Sequence, residues 1–436
     1  MRVSTVGRIA GAIVLGFVSS VIPARASAVQ ASGRSSEEIE ADLDELRRQI
    51  DVLATEMERL RSSEVEIAIT TDEARQLGLG PVAASVYQQD QGVSIAGYGE
   101  MLYENFAGQD ESGRAVNKGT QLDFLKAVAY FGYRFNDKFV FNSEIEVEHA
   151  NEIGVEFAYV DYLAHPALTL RGGLLLVPMG LTNEFHEPNT FFSARRPETE
   201  SWLLPSTWRE NGFGVVGTAG KFNYRAYVVN GLDASGFSSN GLRGGRQKGS
   251  KAQFTDPAFV GRLDMTPTPG VLVGGSFYVG DSGQGQFSVD GRGFDLRTAI
   301  TEVHGQAQIR GFNVRGLYAR SALNNVDLLN RARSLVGDGG VGEVQEGGYF
   351  EIAYNLLSQV RPDIAVTPFY RFESLDTQDR VAQGFAKDAT MDRVFHTLGL
   401  SFAPIQNVVV KADYQWIVNE GESGVNQFNV ALGYSF

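Results

Sequence analysis

From residue 93 to the end of the chain, hydrophobic and polar side chains alternate along short segments, which is the period of a β-strand. The last segment shows the pattern well, because Phe428, Leu432 and Phe436 fall on one face while Asn429 and Ser435 fall on the other. Several earlier segments repeat this alternation. The pattern therefore predicts an all-β structure over residues 93–436.

Carboxylates occupy the polar face of one of these segments. Glu144, Glu146 and Glu148 alternate there with the apolar residues Ile145 and Val147. Burying three glutamates in a soluble core would be costly without partners. Facing a water-filled lumen they cost little, so the alternation indicates a barrel wall whose apolar face meets lipid.

Short turns and long loops alternate along the chain, and their number predicts the number of strands. Seven turns, with both chain ends on the same side, give eight hairpins and hence a 16-stranded antiparallel transmembrane β-barrel. Such a barrel is wide enough to enclose an aqueous channel. The turns lie at Asn136-Asp137, His165-Pro166, Ala219-Gly220, Pro267–Gly270, Arg310-Gly311, Ser358–Pro362 and Ala403-Pro404, and the long loops include 177–210, 231–256, 281–293, 323–343 and 376–390. A large β-sandwich or propeller is the alternative, but no repeat of blade length occurs.

The first 28 residues have the features of a secretory signal peptide. Arg2 and Arg8 give a basic start, residues 9–22 are largely apolar, and Ala26 and Ala28 flank a small-residue cleavage site. A membrane anchor is the alternative, but the apolar run is shorter than the ~20 residues that a spanning helix needs.

Residues 35–63 have a different composition, rich in Glu, Asp, Arg and Leu. Apolar residues recur there at spacings of four and three, which predicts a short α-helical coiled coil in the periplasm. An amphipathic helix lying on the protein's own surface is the alternative. The polar residues 64–92 that follow are interpreted as a linker, with one helical turn around 72–77. The seam positions are Ile39, Leu43, Leu46, Ile50, Leu53, Met57 and Leu60.

Composition narrows the function classes. The 436 residues include 50 Gly, 11% aromatic residues and no Cys, and the net charge is −14. The absence of Cys excludes disulfides, thiolate metal sites and a cysteine nucleophile. The acidic charge argues against a nucleic-acid partner.

Most of the chain, from the predicted coiled coil through the barrel to Tyr434-Ser435-Phe436, resembles the phosphate-selective porin O and P family of bacterial outer-membrane channels. The likeness is greatest over residues 174–181, the loop that follows them and residues 209–214. The resemblance implies a trimeric, 16-stranded barrel whose third external loop, here residues 178–208, narrows the lumen. Phosphate-selecting members use an arginine ladder and a lysine cluster, and this chain departs from that pattern because its third loop also carries many glutamates.

The resemblance and the strand alternation together predict the charged residues of the channel. An ion-paired, purely structural role for Arg195 and Arg196 is the alternative. Phe436 is predicted to serve as a signal for the barrel-assembly machinery. The predicted constriction residues are Arg195, Arg196, Arg209, Glu184, Glu187, Glu198 and Glu200, and the predicted wall residues are Arg225, Arg262, Arg371, Lys411, Glu144, Glu146 and Glu148.

No cofactor or metal is predicted. His186 has Glu184 and Glu187 close in sequence, but this spacing matches no metal signature, so a hydrogen bond within the loop is the expected role. His396 is the one histidine considered for a catalytic pair in a barrel hydrolase.

The predicted function is passive diffusion of small hydrophilic solutes, including anions such as phosphate, through an outer-membrane homotrimer held by barrel and coiled coil. The predicted partners are these solutes, outer-membrane lipid and the barrel-assembly machinery. Two alternatives remain open. One is a plugged barrel that tethers the outer membrane to the cell wall, and the other is the hydrolase.

Overall fold

The fold was analysed in a computed structural model, which describes residue 48 and residues 71–361 and 363–436. The predicted signal peptide (1–28), nearly all of the coiled coil (35–63) and linker residues 64–70 lie outside the described residues.

Sixteen antiparallel strands form a closed barrel, as predicted. Each strand pairs with its neighbours along the chain, and β1 closes the barrel by pairing with β18. A two-stranded hairpin, β10 (Ser288–Val289) and β11 (Arg292–Gly293), lies within one loop. The barrel strands are β1 (Gly92–Phe106), β2 (Gln121–Arg134), β3 (Phe139–Glu148), β4 (Glu152–His165), β5 (Leu168–Leu176), β6 (Arg209–Ala219), β7 (Phe222–Asn230), β8 (Pro257–Thr268), β9 (Val271–Asp281), β12 (Arg297–Ile309), β13 (Phe312–Leu323), β14 (Gly342–Tyr354), β15 (Ala365–Val381), β16 (Asp392–Ile405), β17 (Val408–Asn419) and β18 (Gln427–Ser435).

The side chains of each strand alternate between an apolar outer face and a polar inner face. On β18, Phe428 and Leu432 are exposed on the outside while Asn429 and Ser435 are buried inside. Aromatic pairs gather near the short turns, with ring centroids 4.9 Å apart for Phe139 and Tyr162. Aromatic girdles of this kind flank the apolar band of membrane barrels. The outer surface is therefore suited to lipid.

The seven turns lie at one end of the barrel and the other eight connections at the opposite end; most of these eight are long, but residues 149–151 join β3 to β4 in a tight turn. The turn predicted at Ala403-Pro404 is displaced, because β16 continues through both residues and the chain reverses at Gln406-Asn407. The loop predicted at 376–390 is also shorter than expected, because β15 extends to Val381. None of the helices among the described residues is long and apolar enough to cross a membrane.

Residues 71–91, called here the lumen segment, are not an extended linker. They form a helix over Thr71–Gln76, where a helical turn is expected, and a 3-10 helix over Ala83–Gln88. Leu79 and Val86 are buried against the inner wall of the barrel. The linker interpretation therefore does not hold for these residues, because their few apolar side chains pack inside the barrel.

Candidate functional site: the charged lumen

The third loop on the loop side, residues 177–208, crosses the lumen. It leaves the wall between β5 and β6 and reaches the opposite wall. There the backbone N–H of Ala194 donates to Asp413 Oδ2 at 2.6 Å, and Asn189 Nδ2 donates to Ser435 Oγ at 3.1 Å. Further contacts fix the middle of the loop to β14 and β15. The loop thus lies across the barrel interior at the position predicted for 178–208.

Arg195 of this loop is ion-paired. Its guanidinium lies 2.5 Å from Glu104 Oε1 on β1 and 3.3 Å from Glu198 Oε1 in the loop. Arg196 instead donates to the backbone carbonyl of His186 at 3.2 Å. The two adjacent arginines therefore differ, because Arg195 fixes the loop to the wall through carboxylates, whereas Arg196 donates to backbone and lies over the ring of Phe191, 6.0 Å from its centroid.

Glu198 and Glu200 begin a short helix, Glu198–Trp202, and both hold the loop in place. Glu200 accepts hydrogen bonds from the backbone N–H of Thr182 and the hydroxyl of Tyr349, each at 2.6 Å. Glu198 accepts one from Trp202 Nε1 at 2.9 Å. Their oxygens are engaged within the fold rather than free for a solute.

An acidic side chain of the third loop meets acidic and basic side chains of β7, β8 and β12. Glu184 lies 3.0 Å from Arg225 Nε and 3.8 Å from Arg262 Nη1, and both arginines also contact Asp264. His304 completes the cluster, with Nε2 3.0 Å from Asp264 Oδ1. All five side chains are buried, so this predicted part of the wall is a compact ion-pair network.

Arg371 holds the far end of the loop. It donates to Ser193 Oγ at 2.6 Å and lies 3.4 Å from Glu351 and 3.7 Å from Glu373. Glu373 also accepts from the backbone N–H of Thr199. Arg371 therefore compensates the buried Glu373, shares Glu351 with Arg315, whose Nε lies 2.7 Å from it, and fixes the loop at the same time.

We expect Arg371→Ala to destabilise the barrel by about 3 kcal/mol, because it leaves buried charge without its partner. Urea unfolding of the folded protein in detergent measures this change. The control is Arg331→Ala, since Arg331 pairs with Asp327 on the surface and exposed pairs contribute little. Equal unfolding midpoints for the two variants would contradict the assignment.

Lys411 is buried on β17, and its Nζ lies 3.5 Å from the ring centroid of Phe191 in the third loop. Within the described residues this Nζ has no hydrogen-bond partner. The aromatic face partly compensates the ammonium, as cation–π contacts do. Lys411 thus contributes to the contact between the third loop and the barrel wall.

His186 lies between two carboxylates that are far from it in sequence. Its Nε2 is 3.1 Å from Glu144 Oε1 on β3 and 2.9 Å from Glu156 Oε2 on β4. Nδ1 is 2.9 Å from the carbonyl oxygen of Asn183, the loop hydrogen bond that the sequence predicts. Burial disfavours the charged ring, but Glu144 and Glu156 outweigh this effect and raise the pKa of His186 to about 9.

Arg209 and Glu146 lie beside this group. Arg209 is 3.3 Å from Glu146 and 3.5 Å from Glu156, while Glu148 is half-buried nearer the loops. Sequence reasoning missed Glu156, because regular alternation cannot direct both Glu156 and its neighbour Phe157 into the lumen. The pairing of β4 with β3 shifts register at this point, and this β-bulge places both side chains inside.

The lumen segment is hydrogen-bonded to the third loop and to the wall on the turn side of the barrel. Glu187 of the loop accepts from the backbone N–H groups of Val82 and Ala83, each at 3.2 Å. Asn142 of β3 donates to the carbonyl of Ala83 at 2.9 Å, and Tyr87 donates to Asp161 of β4 at 2.7 Å. On β7, Asn223 donates to Gln76 and Arg225 donates to Arg75. The segment therefore fills part of the lumen below the loop.

A basic pocket opens near the loop end of the barrel. It has a volume of about 390 Å³ and is defined here by Arg243, Arg246 and Lys248. Among the described residues no carboxylate lies within ion-pair distance of these three side chains. Burial and the neighbouring Arg243 and Arg209 lower the pKa of Arg246 to about 9. Crowded cations of this kind favour a bound anion.

Two remaining predictions concern residues at the strand surface. Phe436 exchanges backbone hydrogen bonds with Gly97 at 2.9 Å, which extends the pairing that closes the barrel. His396 lies on the outer face, where Nδ1 is 2.7 Å from the hydroxyl of Tyr370 and the ring packs against Phe372. His396 therefore contacts aromatic residues and not a serine.

Comparison with known proteins identifies a relative over most of the chain. No protein-family model matches. A protein of Aquifex aeolicus (strain VF5), described as uncharacterized, is 35% identical over 370 residues, which cover 81% of this chain and 82% of that protein. The chain belongs to the same family as that protein. The resemblance to the phosphate-selective porin O and P family stays a prediction.

Solved structures with a similar fold are bacterial outer-membrane porins. OmpF of Salmonella typhi has a TM-score of 0.53 at 12% identity and covers 80% of this chain and 98% of its own. OprB of Pseudomonas putida has a TM-score of 0.51 at 11% identity and covers 79% and 94%. OmpT of Vibrio cholerae, in a trimer form, has a TM-score of 0.50 at 12% identity and covers 80% and 100%. At these identities the likeness shows the porin fold.

Proposed function

We propose that this protein is an outer-membrane porin that lets small hydrophilic solutes diffuse passively. The observation that carries the proposal is a closed barrel with an apolar outside and a charged inside, crossed by its own third loop. A loop that crosses the barrel narrows its lumen. Charged side chains at such a constriction determine which solutes pass.

Small anions, such as phosphate, are the solutes that we propose the channel prefers. The basic pocket supports this preference, because its three cations have no carboxylate partner among the described residues and lie near the loop end. Arg196, which has no ion-pair partner among the described residues, interacts electrostatically with Arg243 of this pocket. The carboxylates Glu198 and Glu200, by contrast, are engaged by the loop itself.

The proposed assembly is a homotrimer in the outer membrane. The Vibrio cholerae protein of similar fold is described in a trimer form, which supports this number. The residues proposed to form the constriction are those of the third loop together with the wall groups that hold it, Arg371 and Lys411. A solute that enters from outside the cell would then reach the basic pocket before it reaches the constriction.

Planar-bilayer recording of the purified mature protein tests the proposal. We expect stepwise ohmic channels and, under a KCl gradient, a reversal potential that shows more anion than cation passage. A cation preference would remove the anion assignment and leave a general porin. A correctly folded, heat-modifiable barrel that gives no channels would contradict the porin proposal.

A plugged barrel that acts as a structural tether is the second candidate, and the lumen segment favours it. Residues 71–91 occupy the turn side of the lumen and are hydrogen-bonded to loop and wall. The tether function requires that the wild-type protein does not conduct. Bilayer recording therefore separates the two candidates.

A further inference from the structure

We propose that His186, Glu144 and Glu156 form a site for a divalent transition-metal ion that ties the third loop to the barrel wall. The three residues come from the third loop, β3 and β4. Within the described residues they are the one group of His, Asp and Glu side chains found close enough to hold an ion, with ligand atoms all within 4.8 Å of one another.

The spacing of the ligand atoms fits metal coordination. His186 Nε2 lies 3.1 Å from one carboxylate oxygen and 2.9 Å from the other. Two ligands that each lie about 2.1 Å from a metal ion at roughly a right angle are about 3 Å apart. Small side-chain movements would therefore place an ion between these atoms.

The orientation of the imidazole is set by its other nitrogen. Nδ1 lies 2.9 Å from the carbonyl oxygen of Asn183, to which it can donate a proton. Without metal, Nε2 carries a proton that the two carboxylates hold; a metal ion would displace this proton, and the lone pair then left on Nε2 points between Glu144 and Glu156. Metal-binding histidines characteristically donate their second N–H to a carbonyl or carboxylate in this way.

A buried carboxylate oxygen without a hydrogen bond provides the second, independent observation. Glu144 is completely buried, and within the described residues its Oε2 has no hydrogen-bond partner. The completely buried Glu156 is held by ion pairs instead, since its Oε2 lies 2.9 Å from His186 Nε2 and its Oε1 lies 3.5 Å from Arg209 Nη1. Buried polar groups normally have partners, so Oε2 of Glu144 can accept a ligand at low cost.

The local charge also favours a cation. Glu144, Glu146 and Glu156 lie together. Arg209 lies within ion-pair distance of Glu146 and Glu156, and the buried Lys126 also interacts electrostatically with both. A divalent ion in place of the His186 proton would add one positive charge to this acidic group. One nitrogen and two carboxylates suit ions such as Zn²⁺, Co²⁺ and Mn²⁺.

Calorimetric titration of Zn²⁺ into the untagged, chelator-treated mature protein in detergent tests this site. We expect one Zn²⁺ per chain, and we expect His186→Gln and Glu156→Gln each to weaken binding at least tenfold. The matched control is His304→Gln. His304 is also buried between two carboxylates, but its two nitrogens face different ones, at 2.5 and 3.0 Å, and Arg262 lies beside it. Its variant should bind Zn²⁺ like the wild type.

Absence of stoichiometric Zn²⁺ binding by the wild type would overturn the proposal, as would wild-type affinity in both His186→Gln and Glu156→Gln. Equal loss in His304→Gln would place the ion elsewhere and would also overturn it. Heat-modifiability on gels establishes that each variant is folded, and Co²⁺ absorption of the folded variants gives a second readout of the ligand set. Neither measurement depends on conductance, so failure of the metal site and failure of the porin function are distinguishable.

Discussion

Deletion of residues 71–91 should raise the single-channel conductance several-fold. The lumen segment lies below the third loop, and Leu79, Val82 and Val86 fill space against the inner wall. Its removal leaves the third loop as the main obstacle in the barrel. The conductance of a water-filled pore rises with its narrowest cross-section, so the effect should be large. Bilayer recording at fixed KCl concentration measures it.

A reversible crosslink tests the same segment without shortening the chain. The hydroxyl oxygens of Ser85 in the segment and Ser94 on β1 are 3.0 Å apart, and the natural chain contains no Cys. We expect the oxidised Ser85→Cys/Ser94→Cys protein to keep the low conductance of the wild type at every voltage. If the lumen segment moves during conduction, reduction of the disulfide should restore any channel openings of higher conductance.

The control for the crosslink is the single variant Ser94→Cys, which should not respond to oxidant. Equal conductance of the deletion variant and the wild type would show that the segment does not lie in the path of ions. Channels in the deletion variant but none in the wild type would identify the segment as a plug. That result would favour the tether over the porin.

The barrel itself could be predicted from sequence because its rules are local. Alternation needs only neighbouring residues, and it correctly placed Lys411 and Asp413 inside and Val410 outside. Turns carry Gly, Pro, Asn and Asp for reasons of backbone geometry. The error at Ala403-Pro404 arose because Pro is tolerated near a strand end, where β16 continues to Ile405.

The lumen segment could not be predicted in the same way. Its apolar side chains lie in one buried cluster with inward-facing aromatic residues such as Tyr98 and Tyr130, and its backbone is hydrogen-bonded to Glu187 and Asn142. Such contacts leave no period in the sequence. A polar composition with Gly78 and Gly80 is equally typical of a linker, so only the folded structure distinguishes a linker from a segment that packs inside the barrel.

The charged groups of the lumen show a further limit. Sequence parity predicted that Arg371 and Glu144 face inward, but it could not predict their partners. Glu144, Glu156 and His186 come from three different elements, and no spacing rule joins them. The structure places His186 Nε2 3.1 Å from Glu144 and 2.9 Å from Glu156, whereas sequence analysis expected only a loop hydrogen bond for His186.

Lys248→Glu should move the reversal potential clearly towards cation preference. The variant replaces one of the three cations of the basic pocket by a carboxylate, while Arg243 and Arg246 keep their hydrogen bonds to the backbone of the third loop. A shift of two charges in a pocket of about 390 Å³ changes the local potential strongly at low salt. Arg243→Gln, which removes a second cation of the pocket, should add to the shift.

Lys251→Glu is the matched control for this change. Lys251 lies three residues further along the same loop, is exposed and does not line the pocket. It undergoes the same change of charge, so it reports the effect of surface charge alone. At about 0.1 M KCl the screening length is about 10 Å, and charges outside the path of ions should have little influence. A reversal potential shifted equally by both variants would exclude the pocket as the selective element, whereas a shift confined to Lys248→Glu would mean that anions pass through it.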